Sequence, residues 1–110
     1  IVIVNNDFQR KLKGSKSFMN EDERLLIIKE LKIVDFSYLS VDKTLDVSKT
    51  IKKIYKDLNN KYILSFGNGG DQNNETIPEV TVCDDLNIKL IDGLGDKVQS
   101  SSWLLNKKND

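Results

Sequence analysis

Three consecutive hydroxyls, Ser100-Ser101-Ser102, stand immediately before Trp103-Leu104-Leu105, with Lys97 just upstream. Hydroxyls and free backbone N–H groups at a helix start form an anion cradle, reinforced by the helix dipole. A serine N-cap with two solvated neighbours fits the same spacing. A second candidate is Gly67-Asn68-Gly69-Gly70-Asp71, which follows an apolar run. Glycine accepts backbone angles that let a ligand approach closely, and a plain flexible turn accounts for the same residues. The spacing differs from G-x-G-x-x-G and does not open a helix directly, which argues against hydride transfer. Lys11, Lys13, Lys16 and Arg24 could make charge-assisted bonds to a substrate phosphate. Arginine is the stronger candidate through its two-pronged geometry, and solvated loop lysines are the ordinary alternative. Asp7 either faces a nucleotide or caps a turn. Cys83 reads as a small core residue and Trp103 as packed against a sheet.

The rest of the composition narrows the chemistry. The 110 residues contain no histidine, so a serine or cysteine triad lacks its imidazole. One cysteine rules out a disulfide framework and a cysteine-based four-ligand zinc site; magnesium carried by substrate phosphates is the metal chemistry left open. Seventeen basic residues balance seventeen acidic ones. No global field therefore favours nucleic acid or an anionic membrane, and phosphate binding must be local. Apolar runs such as Leu25 to Ile28 are too short to cross a bilayer, and no signal-peptide pattern is present. A cytoplasmic protein with one domain over residues 1–110 is expected.

The elements that must position these residues follow from periodicity. Ile1-Val2-Ile3-Val4 reads as a strand buried on both faces, ending in the polar loop Asn5-Asn6-Asp7 and a basic loop with Arg10, Lys11, Lys13 and Lys16. Asn20 before Glu21-Asp22-Glu23 predicts an N-capped helix from Glu21 to Lys32, then a strand over Phe36 to Ser40. Val47, Ile51, Ile54, Tyr55 and Leu58 recur at helical spacing from Asp46 to Leu58. Tyr62 to Phe66 and Ile88 to Ile91 read as strands. A helix capped by Thr76 and Glu79 around Pro78 is expected between them, running to Leu86. Alternating strands and helices with short connections predict a parallel, doubly wound, three-layer sheet. Ligands in such sheets sit beyond the strands' carboxyl ends, here Asn5 to Asp7, Ser40 to Asp42, Gly67 to Asp71 and Asp92 to Lys97.

Taken in order, Ile1 to Asp7, Met19 to Arg24, Phe66 to Asp71, Ile77-Pro78-Glu79 and Lys97 to Ser102 resemble the cytidylyltransferase-like nucleotidylyltransferases. The glycerol-3-phosphate cytidylyltransferase and heptose-phosphate adenylyltransferase group is the most similar. The resemblance implies a Rossmann-like fold that transfers CMP or AMP from CTP or ATP to a sugar or polyol phosphate, releasing pyrophosphate with Mg2+ present. It implies Lys13 and Arg24 as catalytic phosphate contacts. It also implies nucleotide binding by Asp7, Gly67, Gly69, Gly70, Asp71, Lys97, Ser100, Ser101 and Ser102, and often a homodimer. A catalytically inactive nucleotide-binding or assembly module of the same fold is the alternative.

Two departures bear on activity. Family members carry an upstream strand and an H-x-G-H helix start, and an arginine ahead of the serine/threonine motif where this chain has only Lys97. The chain also starts inside a β-branched run, so upstream sequence bearing the first, central strand is expected. Residues 1–110 alone are therefore expected to associate through open strand edges or to fold poorly. A cooperative thermal melt of a soluble monomer is the contrary result.

Overall fold

The computed structural model describes residues 1–14, 18–67 and 77–91. The chain divides into two compact units, Ile1–Thr50 and Ile51–Asp110. The described residues form an α/β arrangement of helices with two pairs of short parallel strands. None of the described helices is long and apolar enough to cross a membrane.

In the first unit, β1 (Val2–Val4) and β2 (Ser37–Leu39) pair in parallel, with Val2 opposite Ser37 and Val4 opposite Leu39. The ladder is extended at both ends: Val2 donates its N–H to the Phe36 carbonyl at 3.0 Å, and Ser40 donates to the Val4 carbonyl at 2.8 Å. Between the strands lie α1 (Asp7–Leu12) and α2 (Glu21–Lys29), and α2 packs on both strands. The β-branched run forms the expected strand, but Val4 is buried whereas Val2 and Ile3 are half-buried. An open cavity of about 330 Å³ lies against them, lined by β1 together with Met19, Arg24, Ile27 and Ile28.

Helix α1 stands where the sequence reads as loop. Its start is a reciprocal capping box. The Asn6 side chain accepts the Gln9 N–H at 2.8 Å, and the Gln9 side chain accepts the Asn6 N–H at 3.1 Å. Two of the orphan amides of a helix start are satisfied in this way. Gly14 ends the helix at φ +71, a left-handed angle that glycine adopts without steric cost.

Helix α2 begins as expected, with the Asn20 side chain accepting the Glu23 N–H at 2.9 Å. It stops at Lys29, three residues short of the expected end. Tight turns from Leu31 to Ile28 and from Val34 to Leu31 then return the chain to β2. Its apolar residues, Leu25 to Ile28, are consecutive and so point all round the axis, and none of them is buried.

Helix α3 (Ser48–Leu58) is the strongly amphipathic element. Ile51, Ile54 and Leu58 are buried on one side, and Lys49, Lys52, Lys53 and Lys56 are exposed on the other. In the second unit β3 (Ser65–Gly67) pairs in parallel with β4 (Lys89–Ile91). Strand β3 starts later than the apolar run suggests. Tyr62 still donates its N–H to the Leu58 carbonyl at 3.0 Å, and Ile63 is fully exposed, so this stretch serves to leave the helix.

Helix α4 (Val80–Asp85) also begins later than expected. Its N-cap, Glu79, is in helical conformation and makes no side-chain cap bond; Thr76 lies outside the described residues. At its other end Asn87 adopts φ +56. Ile88 donates to the Cys83 carbonyl at 2.8 Å and Asn87 to the Asp84 carbonyl at 3.2 Å. These two bonds are a Schellman turn, with asparagine at the position usually held by glycine. Ile88 and Cys83, the residues joined by the longer of these turns, are both buried.

Truncating buried Ile54 to alanine is expected to cost about 2–5 kcal/mol of stability. The same change at Leu26, which is 60% exposed, should cost less than about 0.5 kcal/mol. Urea midpoints of the two variants, measured side by side, check the ranking.

Candidate functional site

Because β1 and β2 run in parallel, their carboxyl ends open on the same edge of the first unit. The residues following each strand meet there. The Asn6 side-chain amide donates to the Ser40 carbonyl at 2.9 Å and to the Asp42 carbonyl at 2.7 Å. Gln9, fully buried, donates to the carbonyls of Thr44 and Asp46, both at 2.9 Å. Two amides from the start of α1 thus brace four carbonyls of the loop between β2 and α3.

A carboxylate completes the arrangement. Asp42 is 1% exposed. Its oxygens accept the N–H groups of Lys49 at 2.8 Å and Thr50 at 3.1 Å, and the Thr50 hydroxyl at 2.7 Å. A buried anion of this kind is tolerable because it terminates helix amides and lies at the positive end of the α3 dipole. Ser40 and Thr50, also buried, are hydrogen-bonded to each other and to Asp42. Asp46 accepts the Ser48 N–H at 3.4 Å and the Thr44 hydroxyl. Each buried donor in such a network costs about 1–3 kcal/mol if its partner is removed. The network is therefore a structural commitment and not a solvated rim.

A second cluster surrounds Asp7. Arg24 donates through Nη1 to the Met19 carbonyl and through Nη2 to the Asn5 carbonyl, both at 2.7 Å. Its Nη2 lies 3.1 Å from Asp7 Oδ1, and Arg10 Nε lies 3.7 Å from the same oxygen. The Asp7 N–H donates to Glu21 Oε1 at 2.9 Å. Desolvation pushes the Asp7 carboxyl up, but a hydrogen bond from the Glu21 backbone and the charges of Arg24 and Arg10 outweigh it, so its pKa is lowered. Hydrogen bonds from Ser48 and Thr44 likewise lower Asp46 against the opposing effect of burial.

These contacts engage many of the helix-start amides of the first unit. The first-turn amides of α1 go to Asn6 and Glu21, that of Glu23 in α2 to Asn20, and those of α3 to Asp42 and Asp46.

No family model, curated protein or solved structure matches this chain. Of the site residues expected from sequence, Asp7 and Arg24 are brought together. Lys13 is the exposed C-cap of α1, and Gly67 is the last residue of β3, opposite Ile91. Gly69, Gly70, Asp71, Lys97 and Ser100 to Ser102 lie outside the described residues. Asn6, Ser40 and Asp42 fall in the strand-end segments expected to face a ligand, but their bonding to one another, and the parts of Gln9 and Thr50, were not anticipated from sequence. The N-x-x-Q spacing at Asn6 and Gln9 was the available signal. Among the described residues, no group of three carboxylate or thiol side chains could hold a metal ion. The Cys83 thiol is raised by burial, reinforced by the charges of Glu79 and Asp84, and is therefore a poor nucleophile.

Asp7 and Asp46 titrate lower in the fold than in the unfolded chain, where a carboxyl sits near about 3.9. Their contribution to stability is thus complete above that value and is lost as pH falls through the lowered folded values. Arg24→Gln should raise the Asp7 pKa and flatten the acid limb of the stability curve. Side-chain carboxyl NMR titration of Asp7, with urea midpoints between pH 6 and pH 2.5, reads both effects.

Proposed function

We propose that this chain is a nucleotidylyltransferase-type domain acting on a sugar or polyol phosphate with CTP or ATP. An acceptor phosphate oxygen would attack the α-phosphorus while the bond to the bridging oxygen of the pyrophosphate breaks. A nucleotide-linked product and pyrophosphate result. The observation that carries the reading is the gathering of Asn5 to Asp7 and Ser40 to Asp42 at adjacent carboxyl ends of two parallel strands. Ligands of open α/β sheets bind at that edge. The finer fold belonging to this reading is a Rossmann-like, three-layer, doubly wound sheet.

Within it, the protein's work is orientation and charge neutralisation, since phosphoryl chemistry of this kind needs no covalent intermediate on the protein. Ser100 to Ser102 with Lys97 would cradle the triphosphate, and Lys13 and Arg24 would contribute positive charge. Asp7 and the Gly67 to Asp71 loop would border the nucleotide. Magnesium would arrive with the triphosphate and share its charge.

A second reading, a catalytically inactive nucleotide-binding or assembly module, is favoured by two observations. The 110 residues hold no histidine, and the Arg24 guanidinium is engaged by Asn5, Met19 and Asp7. Calorimetric titration with CTP and ATP, paired with a pyrophosphate-release assay across glycerol, heptose and other sugar phosphates, separates the two. Binding with release supports the transferase, and binding without release supports the module. Ser101→Ala is expected to weaken triphosphate binding about tenfold, roughly the loss of one charge-assisted hydrogen bond. Failure to bind any nucleoside triphosphate overturns both readings.

A further inference from the structure

We draw no further inference here: the strongest candidate, the open cavity of the first unit that β1 lines together with Met19, Arg24, Ile27 and Ile28, carries none, because its walls are mainly apolar and nothing in the structure shows what covers it.

Discussion

The first unit is organised around one buried negative charge. Asp42 is almost wholly removed from water, and a carboxylate in that position is sustainable only when its lone pairs are occupied. The Lys49 and Thr50 amides and the Thr50 hydroxyl occupy them, which fixes where α3 begins relative to the end of β2. The same constraint works in reverse on the helix. Its first amides need acceptors, and the chain supplies them from Asp42, several positions upstream, together with Asp46 just before the helix.

From that anchor the order spreads to β1. Asn6 is at once the cap of α1 and the donor to Ser40 and Asp42, and Gln9 is at once the reciprocal partner in the capping box and the donor to Thr44 and Asp46. Each amide thus joins a local helix start to a distant loop. Removing either would cost the cap and the brace together, so their effects should not be additive with those of Asp42. The Asp7 and Arg24 cluster is a separate tie, joining the end of β1 to α2, and its partial exposure means solvent screens it more.

Legibility in the sequence followed the strength of the apolar pattern. Helix α3 was plain because Ile51, Ile54 and Leu58 fall on one face against four lysines, and its end at Leu58 agrees with the structure. The parallel character of the strands followed from alternation of strand and helix. Helix α1 was missed because four of its six residues are polar or charged and its apolar pair, Phe8 and Leu12, is too short a stripe to stand out beside the Asn6 and Gln9 spacing. Strand β3 was shifted because Tyr62, Ile63 and Leu64 look like strand by residue type, although the first of them still closes α3. At the candidate site, Asp7 and Arg24 were legible as charged residues, but their pairing with each other was not. Nor was the framework of Ser40, Asp42 and Thr50, since short polar residues after a strand give no sign of burial until the loop above them is in place.

The turn that closes α4 ties an amide of β4's lead-in residue to the carbonyl of Cys83, whose side chain is fully buried. Lifting Ile88 away therefore breaks the bond that ends the helix on which the buried sulfur is carried. Because the thiol is fully buried, its alkylation requires a local opening of the second unit, and the rate of alkylation would report how often such an opening occurs.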